Sequence, residues 1–181
     1  MRCKLSDYPP MPIHCSDLYL LLNDLPNDVV AAYGGFLSAH PQLETALTTY
    51  FEHPNDHTTI TPLFIFNEIT NVLITLLANT TTRPDDTGEP GSILAYIRAN
   101  GYDDTVLCSD CYGQLSCSSC AVEVIEGVLD NPTPREEEYD MLDIDDAKPP
   151  TQYTRLGCQA KIGRAPLVVK IRAPQLVRSQ V

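Results

Sequence analysis

The sequence predicts an α+β fold, a small mixed sheet clasping a helix, preceded by a short helical extension. Three observations predict it. Two runs rich in β-branched and apolar residues, Thr61 to Phe66 and Val72 to Leu77, are separated by Asn67-Glu68-Ile69-Thr70-Asn71, a hairpin signal. Gly91-Ser92 then opens a helix, with Ser92 as cap and Ile93, Leu94, Tyr96 and Ile97 as its apolar face, that stops at Asn100-Gly101. Two more strand signals follow, the alternating Ala121-Val122-Glu123-Val124-Ile125 and the closing run Leu167-Val168-Val169-Lys170-Ile171.

Taken in order, residues 1–57 read as short helices broken by turn signals. Leu18 to Leu25 is apolar-rich behind the possible caps Ser16 and Asp17; Asp28 to Tyr33 ends at Gly34-Gly35; Pro41 to Phe51 ends before His53-Pro54. His14 beside Cys15 has nothing at metal spacing to join it and reads as an unliganded pair. The sheet domain takes residues 58–181. Between its hairpin and its first helix lies a polar loop, Asn79 to Pro90, rich in Thr, Asp and Pro. After the third strand, Thr133-Pro134-Arg135-Glu136 is a capping box with Pro at the first helical position. The helix it starts sends Glu136, Glu137, Glu138, Asp140 and Asp143 outward and leaves Met141, Leu142 and Ile144 for the core.

The 181 residues suit one ordinary domain with an appendage. Twenty-four acids against twelve bases give a formal charge of −12. Nucleic acid and anionic membrane are therefore poor partners, because both need clustered Lys and Arg; a basic protein surface suits such a chain. The charge is also sorted by region: residues 108–150 hold 11 acids and two bases, residues 151–181 six bases and no acid. The longest apolar stretch, Val72 to Ala78, falls far short of the roughly 20 residues of a membrane helix. The first residues, with Asp7, three prolines and Asp17 ahead of any apolar run, match neither a secretory signal nor an Arg-rich, acid-poor transit peptide. Asn79-Thr80-Thr81 is then a chance sequon.

Seven cysteines, an odd number without a signal peptide, argue against a disulfide framework. Their clustering points to a metal. Cys111-x5-Cys117-x2-Cys120, then 37 residues, then Cys158 supplies four thiolates, the set that an iron–sulfur cluster takes from a wrapping loop and one distant residue. Tyr112 to Ser116 is small, contains Gly113, and can turn backbone N–H groups toward the sulfides. The competing reading is zinc on Cys108-x2-Cys111 and Cys117-x2-Cys120. Zinc ribbons separate such pairs by roughly 12–20 residues, whereas five intervene here and Cys158 would be left unexplained. Cys108 reads as a buried apolar filler or a bystander thiol.

Cys111-Tyr-Gly-Gln-Leu-Ser-Cys117-Ser-Ser-Cys120 closely resembles the cluster loop of adrenodoxin-type (vertebrate-type) 2Fe–2S ferredoxins, which space these ligands C-x5-C-x2-C. Glu136 to Ile144 resembles that family's acidic recognition helix, and Thr154-Arg-Leu-Gly-Cys158-Gln the segment bearing its fourth ligand. The likeness covers residues 60–174 in pattern and is strongest over 108–174. It implies a β-grasp fold and a 2Fe–2S cluster, with Cys111 and Cys117 on one iron and Cys120 and Cys158 on the other. It also implies an arginine, here Arg155, bracing the cluster loop. One-electron carriage follows, from a flavoprotein reductase to an acceptor such as a cytochrome P450 or cluster-assembly machinery. The sequence departs from the family at Ala121, often histidine there, and at Ser109, often glycine. The Asn79–Pro90 loop looks enlarged, and residues 1–57 have no counterpart.

No Ser/His/Asp or Cys/His catalytic set, phosphate loop, or nicotinamide or flavin fingerprint appears, so the chain reads as a carrier rather than an enzyme. Five carboxylates between residues 136 and 143 would steer a basic partner, the alternative being a merely solvated face. A second reading keeps the fold but makes the chain a structural or bridging subunit of a mitochondrial respiratory complex of the complex I type, docked through residues 1–57. A third is a domain cut from a larger reductase or hydroxylase. The resemblance places the protein in the mitochondrial matrix, or on the matrix side of the inner membrane, if its source is eukaryotic, and in the cytoplasm if bacterial.

Overall fold

Pro41 dictates how the first helices are joined. In a computed structural model, which describes residues 16–53, 59–143 and 150–171, the chain divides into two compact units, Met1–Thr58 and Thr59–Val181. The first unit holds α1 (Ser16–Leu21), α2 (Asn27–Ala39) and α3 (Pro41–Glu52). Proline disfavours helical backbone in the residue before it, and His40 accordingly leaves the helix at φ −127° and ψ 69°. The His40 ring stacks on Phe36 with centroids 4.0 Å apart, and its Nδ1 lies 2.8 Å from the Phe36 carbonyl oxygen. Gly34-Gly35 does not end α2 as the sequence suggests. The helix runs on to Ala39 because Val30, Tyr33, Gly34 and Leu37 are all buried, and that burial outweighs the ~1 kcal/mol that each helical glycine costs.

In the second unit the hairpin is β1 (Ile60–Asn67) and β2 (Val72–Asn79). Asn67 pairs with Val72, so the loop is four residues and not five, and the Asn67 Oδ1 accepts the backbone N–H groups of Ile69 and Thr70. Next come α4 (Ile93–Ala99), β3 (Ala121–Glu126), α5 (Glu136–Asp143), β4 (Thr154–Leu156) and β5 (Leu167–Ile171). The sheet order is β2-β1-β5-β3-β4, antiparallel except for the parallel pair β1–β5. Pro62 is tolerated in β1, though that strand is flanked on both sides, because pairing with β5 begins only at Leu63. The Ser92 Oγ caps α4 by accepting the Ala95 N–H, as its sequence predicts.

Ile93, Leu94, Tyr96 and Ile97 of α4 pack with Leu63, Ile65, Leu76, Val122, Leu167 and Val169 of the sheet, and the buried cysteines Cys120 and Cys158 belong to the same core. A sheet wrapped on one helix in this order is a β-grasp fold. Two local expectations change. The helix after the Thr133 box starts at Glu136, with the Arg135 carbonyl accepting the Glu138 and Tyr139 N–H groups, so Thr133 is not its cap. The three-residue β4 adds a strand that the sequence does not announce, being too short for any alternation to register. Among the described residues no helix is long and apolar enough to cross a membrane. Cys3, His14, Cys15, His57, Ile144 and the expected boundary at 57/58 lie outside the described residues.

Candidate iron–sulfur site

Residues 108–120 form an irregular loop between α4 and β3, wound by three successive features of left-handed backbone. Tyr112, Gly113 and Leu115 have φ of 52°, 81° and 54°. Leu115 packs against the core while Tyr112 stands 76% exposed. Ser109 is the loop's internal strut. It is buried, its Oγ accepts the Gly113 N–H at 3.0 Å, and its carbonyl accepts the Tyr112 N–H at 3.0 Å. Ser119 is a second strut: its Oγ accepts the Asp110 N–H at 2.9 Å and lies 3.1 Å from the Cys117 sulfur. The N–H groups of Tyr112 and Gln114 are thus spent inside the loop, on Ser109 and Cys111 carbonyls. The Ser116 N–H reaches the Cys111 sulfur, and the Gly113 N–H is divided between that sulfur and the Ser109 Oγ.

The loop sets out its thiols in two communicating pairs. Burial pushes the Cys111 thiol up, but hydrogen bonds from the Ser116 backbone, the Cys117 thiol, the Ser116 hydroxyl and the Gly113 backbone together bring it down to about 7. The second pair is Cys120, at the start of β3, and Cys158, just beyond β4. The Cys120 thiol donates to Cys158, which raises Cys120 well above the ordinary thiol value, and burial pushes the same way. Cys158 is lowered by that bond, against its burial, with the Gln159 side chain assisting from 3.5 Å. The Gly157 N–H bonds the Cys120 carbonyl at 2.8 Å, so the two segments are joined by backbone as well.

Among the described residues no three His, Cys, Asp or Glu side chains converge closely enough to surround one ion. Four thiols in two adjacent pairs, two buried and two half-buried, suit a binuclear cluster, which spreads its ligands over a wider space. Cys108 is half-buried rather than buried. Its thiol is raised by burial and by its hydrogen bond to Asp110, so it stays protonated.

The acidic helix is not uniformly outward. Glu136, Glu137, Asp140 and Asp143 are exposed, but Glu138 is only 1% exposed, which removes it from any docking face. Its carboxylate receives Arg155 in a fork, Nε to Oε1 at 2.8 Å and Nη2 to Oε2 at 2.9 Å, and Oε1 also accepts the Leu156 N–H. The Arg155 Nη1 reaches the Asn131 carbonyl at 2.6 Å. Arg155 therefore braces α5 and the turn before it, and the hydrogen bonds of its guanidinium do not go to the cluster loop. A signal for this was available: Glu138 shares a helix face with Met141 and the buried Leu142, at i+3 and i+4.

The 2Fe-2S iron-sulfur cluster binding domain family matches residues 79–163. The chain is 37% identical over 70 residues to the mitochondrial adrenodoxin homolog of Saccharomyces cerevisiae, covering 38% of this chain and 40% of the yeast protein. It is 36% identical over 89 residues to a 2Fe-2S ferredoxin of Rickettsia bellii, covering 49% of this chain and 76% of that protein. Among solved structures it is similar to a ferredoxin from Rhodopseudomonas palustris HaA2 (22% identity, TM-score 0.45, 63% of this chain and 98% of that one). It is also similar to a reduced putidaredoxin variant from Pseudomonas putida (23% identity, TM-score 0.46, 64% and 99%). The ligand spacing, the β-grasp sheet around α4 and the two sequence relatives agree: the chain belongs to the 2Fe–2S ferredoxins, with a likeness to the adrenodoxin type, and its cofactor is a 2Fe–2S cluster.

Proposed function

We propose that Cys111, Cys117, Cys120 and Cys158 hold the cluster, two thiolates to each iron, and that the protein passes single electrons from a flavoprotein reductase to an acceptor such as a cytochrome P450 or cluster-assembly machinery. The observation that carries this reading is the pairing of four thiols in one unit with an acidic helix whose exposed face is almost wholly carboxylate. When bound, the cluster supplies a reversible one-electron couple. The chain's own part is to hold it: Cys120 and Cys158 from the core side, Cys111 and Cys117 from the loop, with N–H donors from Ser116 and Gln159 offsetting thiolate charge. Glu136, Glu137, Asp140 and Asp143 then form the docking face, which steers a basic partner by its field.

Replacing Asp140 and Asp143 together by Asn is expected to slow reduction by such a reductase several-fold at low salt, through the association rate, and to flatten its salt dependence. Stopped-flow reduction across a salt series checks this. Native kinetics in the variant would leave the helix a solvated face only.

A second reading is favoured by Leu20 and Phe36, which stand 65% and 43% exposed on α1 and α2. In it, residues 1–57 dock on a large respiratory assembly and the chain serves as a bridging subunit. Deleting 1–57 is then expected to spare cluster and stability but abolish co-migration with the assembly on native gels. A truncated chain that unfolds, from an intact chain that is monomeric, overturns this reading. The name of the yeast relative, which says mitochondrial, favours the mitochondrial location, while the Rickettsia relative keeps the bacterial alternative in view.

A further inference from the structure

The enlarged loop between β2 and α4 is bonded at both ends. Asn79 Oδ1 accepts the Thr81 and Thr82 N–H groups, Arg83 pairs with Asp130 at 2.8 Å, and the Gly91 N–H bonds the Pro84 carbonyl. Its last residues run against the site. The Glu89 N–H bonds the carbonyl of Cys158 itself at 2.8 Å, and the Glu89 carboxylate lies 3.0 Å from the Lys161 Nζ and 3.5 Å from Arg135. Beside it, Gly88 (φ +77°) leaves no room for a side chain: a Cβ there would lie 2.6 Å from the Cys158 carbonyl oxygen and 3.0 Å from its Cα. On its other side, a Cβ on Gly113 (φ +81°) would lie 2.5 Å from the Gly88 nitrogen and 2.7 Å from its Cα. Two Cβ-free residues thus bring three backbone segments into contact, the 80–92 loop, the cluster loop and the segment of the fourth thiol.

We propose that Gly88 is a positioning residue for the cluster: it keys the 80–92 loop between Gly113 and Cys158 and so fixes how the two halves of the ligand set face each other. The inference rests on the cluster assignment above and adds a wall that the ligand motif does not contain. It follows that the cluster's electronic signature and lifetime depend on a residue outside the cysteine loop.

Gly101, just beyond α4, provides the control. Its φ is +80°, and a Cβ there meets nothing within 4 Å. Alanine at either position carries a similar left-handed backbone cost, and only Gly88→Ala presses on the cluster segments. The measurements, on holoprotein, are visible-region circular dichroism, midpoint potential and half-life of bleaching under an iron chelator. Gly88→Ala is expected to change the dichroic band shape, shift the potential and shorten the half-life tenfold or more, with Gly101→Ala within about twofold of native. Equal losses of thermal stability in the two variants, with native spectrum, potential and half-life in Gly88→Ala, overturn the proposal. If Gly88→Ala yields no soluble holoprotein, Arg83→Ala frees the loop from Asp130 without touching the cluster loop. A shortened half-life at unchanged Tm then supports the proposal, and an unchanged half-life overturns it. Iron and sulfide content of the native chain separately tests the cluster assignment, so the two can fail independently.

Discussion

Cys158→Ser is expected to lose the cluster, or to keep it only as a species that bleaches during purification. Cys158 is fully buried and accepts a hydrogen bond from the Cys120 thiol, and both must release their protons to bind iron as thiolates. A serine oxygen is harder, holds its proton more tightly and sits on a shorter bond, while the buried site cannot relax around it. The native chain should contain about two iron and two sulfide, and the variant close to none. Cys108→Ser should keep the native content, because that thiol is half-exposed and turned to Asp110. Visible absorption with iron and sulfide analysis decides both. Stoichiometric zinc without sulfide in the native chain would sink the assignment.

The second large effect is expected at Glu138. Glu138→Gln leaves the Arg155 guanidinium, with a side chain 3% exposed, without its countercharge in the core. Removing one partner of such a pair costs roughly 3–5 kcal/mol, which in a domain of this size lowers Tm by on the order of 10–25 °C. Replacing both, as Glu138→Leu with Arg155→Met, should cost clearly less than either single change, because no charge is then stranded. Thermal unfolding of the three holoproteins tests this, and a single variant melting within a degree or two of native would refute it. The same carboxylate accepts the Leu156 N–H, two residues ahead of Cys158, so the single variants should also release the cluster faster.

What could be read from the residues alone divides along physical lines. The hairpin, the capped helix α4 and the closing strand were legible because each is a local pattern, an alternation or a cap beside an apolar stripe. The thiol set was legible because its spacing is itself the chemistry. Glu138 was not, since a run of three glutamates reads as one solvated patch until the helix phase is checked against Leu142. The Gly34-Gly35 pair misled for a related reason: helix propensity is a local quantity, and burial of Tyr33 and Leu37 on one face overrode it. Ser109 and Gly88 were invisible because their roles are contacts with segments distant in sequence.

The parallel pairing of β1 with β5 bears on how the protein is made. Leu63 lies beside Leu167, so among the described residues the hairpin and the β3–β4 half of the sheet are bridged only by β5. During translation the Leu63-Phe64-Ile65-Phe66 edge emerges early and stays unpaired until nearly all of the domain has left the ribosome. A bare apolar edge of this kind recruits other strands, and pairings so far apart in sequence close slowly. The nascent chain therefore passes through a long interval in which it is aggregation-prone and unable to hold its cofactor. Shielding by a chaperone matters most in that interval, and delivery of iron and sulfide belongs after β5 has taken its place in the sheet.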